Sequence, residues 1–406
     1  MTKAAVFCLA AGMASAQTVS LTVNTGTVLH EVDPRIYGQT LARVDHSANA
    51  AFLSDLTQAV AALRPPIIRW IGGTPGGEYR WKDDIGPQSK RASRGSGGER
   101  DPLSFGLDEF LALARRVGSD PVIVIAVGPR DKQDRATLLQ DAADLVEYCN
   151  GLRDSAWGKI RAQNGHPEPY RVKYWEIDTE TWNLLPAESV EALGQLVPAM
   201  KKADATIRTI GQGDLADYLS VHYDERSKNP KRKLFVSGWN ARNTDWRGGL
   251  HTGATLNAME RDAAIAMAAP SRDNALIAVD QSSWFPSPDY VVMKLYREHF
   301  APELLEIAGN LGELSAIATR SADGEKIYLK LVNATARDVP VEAALRGDFP
   351  LMGATMRVVA PDSLDARNTP RQSAAIQAVE GKVERAGLTV RLRLPRWSVA
   401  VVTLSR

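Results

Sequence analysis

Three carboxylates spaced two residues apart, Glu176, Asp178 and Glu180, stand in the run Trp175-Glu176-Ile177-Asp178-Thr179-Glu180. On a strand, side chains two apart share a face, so a regular strand here turns all three toward one interior. Mutual repulsion and burial then push at least one of their pKa values upward, as a general acid requires. Glu180, at the far end of the run, is the acid/base candidate; Glu176, deeper, is expected to be held by structural hydrogen bonds. Four tryptophans, Trp81, Trp182, Trp239 and Trp284, fall near the ends of strand-like runs. Each taken singly is more often plain packing, but several indole faces at one rim, beside polar groups, suit the apolar faces of sugar rings. Arg69, Thr74, Asp178, Thr179, His222, Tyr223 and Gln281 complete the expected carbohydrate-binding set.

Other chemistries find no support in the residues. The six histidines never recur at ligand spacing, and His222 has no second His or Cys near it, so no metal is expected. No GxGxxG follows the first strand, and neither a P-loop nor a GxSxG is present, which leaves nucleotide cofactors and serine hydrolysis unsupported; the cofactor expectation is none. Cys149, in the helical run Leu138 to Asn150, reads as a small buried hydrophobe.

The elements that must position these groups alternate between short apolar runs and amphipathic stretches from residue 34 to about 300, the pattern of parallel strands with helical crossovers. Eight strands are predicted: from Ile36-Tyr37-Gly38 onward, Pro66 to Trp70, Pro121 to Gly128, Val172 to Asp178, Ile207 to Gly211, Tyr218 to His222, Leu234 to Trp239 and Ala275 to Gln281. Helices are predicted at Ser54 to Leu63, Phe105 to Val117 with Ser104 as cap, Thr137 to Cys149, Val190 to Lys202 and Leu256 to Ala268. The count fits a (β/α)₈ barrel, an α/β TIM barrel, whose reactive groups lie at the C-terminal ends of its strands. Strands five to seven crowd together between Gly211 and Leu234, and a doubly wound sheet is the alternative.

After Tyr290 to Phe300 the pattern changes to short alternating runs with turn signals, a C-terminal β-sandwich, which Thr18 to Val23 joins as a strand ahead of the barrel. The expected domains are residues 1–16, 17–33, 34–304 and 305–406: signal peptide, N-terminal strand, barrel and sandwich. Residues 1–16 end in Ala14-Ser15-Ala16, a small-residue cleavage pattern, so a secreted or periplasmic protein is expected. Cys8 leaves with that segment, and Cys149 then has no partner for a disulfide. A net charge of +1 argues against nucleic acid, and no later apolar run is long enough to span a bilayer, so neither nucleic acid nor membrane is an expected partner.

With these residues in hand, the chain resembles the α-L-arabinofuranosidases of glycoside hydrolase family 51. The resemblance is carried by Ile36-Tyr37-Gly38; Ile68-Arg69-Trp70 with Gly72-Gly73; Tyr79-Arg80-Trp81; Ile85-Gly86-Pro87; Phe105 to Phe110; Val146 to Asn150; Val172 to Ile177; and Pro288-Asp289-Tyr290 to His299. It implies a barrel plus sandwich, an arabinose-containing glycan as partner, and retaining hydrolysis by two carboxyl groups about 5 Å apart. Glu180 matches the family's acid/base. The family's nucleophile, a Glu just before a Trp on strand seven, falls on Gly238. Thr74, Thr179, Asp178 and the neighbourhood of Ala42 replace further sugar contacts of the family. Arg69 matches an Arg that lies beside the nucleophile there; a buried cation stripped of its partner costs about 3–5 kcal/mol, and Asp178 is the expected replacement. Three readings stay open: an active glycosidase with a displaced nucleophile, a carbohydrate-binding descendant without catalysis, and a scaffold.

Overall fold

The computed structural model describes residues 18–41, 50–70, 81–91, 105–128, 134–178, 186–223, 232–239, 243–270, 277–280 and 283–406. The chain opens with β1 (Val19–Glu31) and then builds eight parallel strands: β2 (Gln39–Leu41), β3 (Ile67–Trp70), β4 (Asp120–Ala126), β5 (Tyr174–Asp178), β6 (Arg208–Gly211), β7 (Tyr218–His222), β8 (Leu234–Ser237) and β9 (Ile265–Ala269). They pair in chain order from β2 to β9, the sequence of a TIM barrel and not of a doubly wound sheet. First and last strands meet where Thr40 Oγ1 donates to the Pro270 carbonyl at 2.6 Å. Just before β2, a Cβ on Gly38 would lie 2.3 Å from the Ala268 carbonyl, so only glycine fits that approach.

Helices α1 (Ala50–Leu63), α2 (Leu107–Val117), α3 (Arg135–Asn150), α4 (Ala156–Gln163), α5 (Pro186–Ala203), α6 (Trp246–Arg261) and α7 (Pro288–Glu298) accompany the strands. Three expectations about these elements need correction. The first strand is preceded by a 3-10 turn at Pro34–Tyr37 and starts only at Gln39. Gly106, not Ser104, caps α2, with its N–H donating to Glu109 at 2.9 Å. The eighth barrel strand is Ile265–Ala269, which the sequence suggested as the end of a helix; that helix stops at Arg261, with Asp262 in an extended conformation as its cap. The segment expected as strand eight instead forms an antiparallel hairpin, β10 (Ile277–Asp280) with β11 (Ser283–Pro286).

Inside the barrel, Ile67, Val122, Tyr174, Ile210, Phe235 and Met267 form one buried apolar layer. Two residues further along the same strands come Arg69, Glu176 and Ser237, all buried. Strand periodicity thus carries the interior from apolar to polar toward the C-terminal ends. Between β6 and β7 the connection is only residues 212–217, with no helix. A polar lattice holds it: the Asp217 carboxylate accepts from Thr209 N–H at 2.8 Å and Lys201 Nζ at 2.9 Å, and Arg232 donates to the carbonyls of Gly213 and Ala216.

The rest of the chain adds β12 (Glu303–Gly309), β13 (Ser315–Arg320), β14 (Lys326–Asn333), β15 (Val339–Arg346), β16 (Gly353–Val359), β17 (Val379–Gly381), β18 (Val383–Ala386), β19 (Thr389–Leu394) and β20 (Ser398–Ser405). With β1 they make a ten-stranded sheet in the order β17-β16-β20-β14-β13-β12-β1-β15-β19-β18. Residues from both halves, among them Leu21, Leu329, Leu331, Val390 and Val402, share one buried core, so the sheet folds over itself. β1 lies in its middle, antiparallel to β12 and parallel to β15.

The barrel and the sheet meet along α6. Lys330 of β14, fully buried, donates to both Glu260 carboxylate oxygens at 2.6 and 2.9 Å, and Tyr37 OH donates to the same carboxylate. Asn257 Nδ2 reaches Ser315 Oγ at 3.0 Å, and Trp246 Nε1 donates to the Trp397 carbonyl at 2.6 Å. No helix among the described residues is long and apolar enough to cross a membrane.

Candidate active site at the carboxyl end of the barrel

Arg69 and Glu176 lie on β3 and β5, with β4 between them, and reach one another across the interior. Arg69 Nε donates to Glu176 Oε2 at 2.5 Å and Nη2 to Oε1 at 2.8 Å, a two-pronged pair with both side chains buried. This agrees with a structural role for Glu176, which supplies a counter-charge to Arg69 one pleat pair below Asp178. The pair fixes the β5 backbone under its functional end, because a bidentate guanidinium tolerates little rotation of its acceptor.

Asp178 closes β5, partly exposed, and its carbonyl accepts the Val127 N–H at 2.8 Å, which carries the β4–β5 pairing to the rim. The chain runs on from there to Thr179 and Glu180, which lie outside the described residues, as do Thr74, Trp182 and Gln281.

On the opposite wall, His222 ends β7, exposed, in register with buried Ser237 at the end of β8. Gly238 follows, its N–H donating to the Ala269 carbonyl at 3.0 Å and its backbone left-handed at φ 67°. A glycine there brings no carboxylate to this wall. Tyr223 is half-buried against the cluster that holds Trp239, Trp246 and Tyr290.

Of the three described tryptophans of the expected rim, Trp81 and Trp239 are buried and not open. Trp81 is buried; its ring lies 4.9 Å from that of Trp157, and its Nε1 donates to the Asp141 carbonyl at 3.2 Å. Trp239 is 2% exposed, with its indole N–H lacking an acceptor and its carbonyl 3.2 Å from His251 Nε2. Trp284 sits in β11, not at the end of a barrel strand; it is half-buried, 6.0 Å from the Tyr290 ring, and packs against both large cores of the barrel half. Two of these indoles therefore serve packing, and strand spacing alone does not distinguish the two uses. Cys149 is buried and free, with burial pushing its thiol pKa upward, as an inert hydrophobe requires.

The sequence reading missed Arg135. It is the first residue of α3, the helix that follows β4 and therefore starts on the same end of the barrel as Asp178 and Gly238. Its Nε and Nη1 are buried without an acceptor. A basic residue in a helix's first turn opposes the macrodipole, and that sequence signal was available.

Comparison with known proteins places these observations. A family model described as "Alpha-L-arabinofuranosidase 1 domain" matches residues 59–247. A probable alpha-L-arabinofuranosidase C of Aspergillus clavatus is 29% identical over 234 residues, 51% of this chain and 45% of that protein. An extracellular exo-alpha-L-arabinofuranosidase of Streptomyces chartreusis is 25% identical over 312 residues, 60% of this chain and 38% of that protein. The chain spans less than half the length of these curated relatives. Among solved structures, the alpha-L-arabinofuranosidase from Thermotoga maritima in its arabinose complex covers 96% of this chain and 100% of its own, with a TM-score of 0.82 at 20% identity. The family 51 arabinofuranosidase from Xanthomonas axonopodis pv. citri gives 0.79 at 20% identity, over 96% of this chain and 100% of its own. The fold is that of a TIM barrel with an attached sheet domain, and in sequence the chain is similar to α-L-arabinofuranosidases.

Proposed function

We propose that this chain is an exported protein that takes arabinofuranosyl branches of a glycan at the carboxyl end of its barrel, with Glu180 as acid/base and the second carboxylate of a retaining mechanism lost at Gly238. The observation that carries the reading is the asymmetry of the two walls. On β5, the Arg69–Glu176 pair anchors a strand whose face continues through Asp178 toward position 180. On β8, the matching position is a glycine at φ 67°. A double displacement needs a carboxylate to attack the anomeric carbon and a second group to deliver and recover a proton. This chain keeps the proton-handling side and lacks the attacking side. Export is supported by the small-residue pattern at Ala14-Ser15-Ala16 and by a relative named as extracellular; N-terminal sequencing of protein collected outside the cell is expected to begin at Gln17.

The test is turnover of 4-nitrophenyl α-L-arabinofuranoside. The unmodified protein is expected to be near-inactive alone and to gain turnover with azide, which bonds to the anomeric carbon as the C–O bond to nitrophenolate breaks, leaving an inverted arabinofuranosyl azide. Gly238→Glu is expected to turn over without added anion. In that background Glu180→Gln should lower the rate by about 10²–10⁴-fold, the usual contribution of a general acid/base. Turnover by the unmodified protein alone would overturn the loss at Gly238. Failure of every sample to hydrolyse or bind arabinosyl oligosaccharides would overturn the sugar reading itself.

A further inference from the structure

Between β16 and β17 the sheet domain sends out a long connection, residues 360–378, and Asn368 is its one buried residue ahead of Ile376. The side-chain amide explains that burial, because its oxygen and its nitrogen are both engaged. Oδ1 accepts from the Ile376 N–H at 2.7 Å, and Nδ2 donates to the Ile376 carbonyl at 3.2 Å, which closes the connection on itself. Nδ2 also donates to the Pro286 carbonyl at 2.9 Å, across to the barrel half of the molecule. Closure of the connection accounts for the first two bonds and not for the third. Pro286 ends β11 and has no N–H to give, so its backbone is tied here through the carbonyl. The β10–β11 hairpin lies in the chain between β9 and α7, in the last of the connections at the carboxyl end of the barrel. A two-stranded hairpin holds itself only marginally, so an outside tether matters. Trp284 stands two residues before Pro286, on the same strand face, half-buried with its ring 6.0 Å from that of Tyr290. Of the described tryptophans expected at the rim, it is the one not buried.

We infer that Asn368 is a positioning residue for glycan binding: from the sheet domain it fixes the end of β11 and so holds the Trp284 indole as a platform for a sugar ring. This rests on the sugar reading above and gives the sheet domain a part in it. Asn368 touches no sugar; it acts through the hairpin. A half-buried indole, packed on part of its surface, offers the apolar area that the flat side of a sugar ring covers. Holding that indole in place beforehand spares the glycan the cost of ordering the hairpin. The same connection has a second tie, Arg247 to Asp365 at 2.7 Å, which joins it to α6 through two exposed side chains and involves no residue of the hairpin.

The experiment is a double-mutant cycle on the full chain, Asn368→Ala against Trp284→Ala, read by calorimetric titration with an arabinosyl-substituted xylo-oligosaccharide. Asn368→Ala should weaken binding by about three- to tenfold, the worth of the one hydrogen bond that holds the hairpin. Trp284→Ala should weaken it at least as much, and adding Asn368→Ala to Trp284→Ala should cost nothing more. Asn368→Asp keeps the acceptor for the Ile376 N–H and gives up the donor to Pro286, so it should weaken binding as Asn368→Ala does; it carries the test if Asn368→Ala does not fold. Asp365→Asn, which opens only the tie to α6, should bind as the parent does. Amide hydrogen exchange supplies a readout that a general loss of stability would not mimic: with Asn368 replaced, exchange should quicken in residues 277–286 and stay unchanged in β13 and β14. Additive losses in the cycle, parent-like binding by Asn368→Ala or by Trp284→Ala, or unaltered exchange in the hairpin would each overturn the positioning role and leave the sugar reading standing. Failure of the parent to bind the oligosaccharide would overturn the sugar reading, and the positioning role with it.

Discussion

Two buried ion pairs divide the molecule between them. Arg69–Glu176 bridges strands inside the barrel just below its functional end, and Lys330–Glu260 bridges β14 of the sheet domain and α6 of the barrel. The first is a planar fork on a planar acceptor. The second is a point charge caged by aromatic groups, with the ammonium 5.2 Å from the Tyr296 ring and 5.8 Å from that of Tyr37, and with Tyr37 OH on the same carboxylate. Burial lowers the Lys330 pKa, an effect the Glu260 carboxylate opposes, and raises those of Tyr37 and Tyr296, which the same carboxylate pushes further up. The difference shows where orientation is held. The barrel pair aims one strand. The seam pair locks the helix that leaves β8, and with it the wall that carries Gly238, onto the sheet domain.

The largest expected effect comes from breaking the seam. Glu260→Ala leaves Lys330 fully buried without its counter-charge, and stability should fall by about 3–5 kcal/mol, measured by urea unfolding. Replacing the whole group with apolar residues, Tyr37→Phe, Glu260→Leu and Lys330→Met together, should recover most of that loss, because a buried pair holds orientation more than it adds net stability. If the single variant unfolds no more easily than the parent, the seam is not held by this pair and the contrast with the barrel fails.

A buried carboxyl with no cation paired to it among the described residues sharpens the contrast. The Asp289 carboxyl, in the first turn of α7, accepts from Thr252 Oγ1 at 2.8 Å; burial above all, with Asp245 nearby, raises its pKa from 3.8 to about 7. A folded-state pKa above the unfolded value means that the proton stabilises the fold. That contribution is fully present below about pH 4 and is lost as pH rises through about 7. Stability should therefore fall with a slope approaching about 1.4 kcal/mol per pH unit across that window. Asp289→Asn should flatten the slope and be the more stable form above it. Unfolding curves for the two proteins that run parallel from pH 4.5 to 8 would remove Asp289 as the cause.

How much of this was legible depended on whether neighbours or tertiary register decided it. Tyr218–His222 matched the predicted strand to the residue, because a clean run with turn signals at both ends leaves no second period to fit. Ile-Ala-Met-Ala-Ala at 265–269 fits a helix or a strand equally, so the barrel's last strand went unrecognised and the rim was drawn around the wrong segment. The placing of Glu176 and Asp178 on one strand was readable from period two alone, but the pairing of Glu176 with Arg69 was not. Which residue of β5 lies level with β3 depends on the shear of the closed barrel, a property of eight strands at once. Burial of Trp81 and Trp239 is of the same kind, set by what packs above them.

The smallest effect asks whether the site end is set as tightly as the seam. Gly238 and Gly118 share a positive φ, 67° and 72°. Gly118 ends α2, with nothing within 4 Å of the place where a Cβ would stand. Gly118→Ala thus measures the left-handed penalty alone, about 1–2 kcal/mol less about 0.4–1 kcal/mol recovered from a stiffer unfolded chain. Gly238→Ala should cost the same, near 1 kcal/mol, if the position once held a side chain and still has room for one. In that case the Gly238→Glu protein folds, and an added anion has space beside the sugar. A loss several times that of Gly118→Ala would mean that the β8 wall has closed over the old carboxylate's place, so that neither Glu nor azide restores turnover there, and the site end would prove as rigid as the seam.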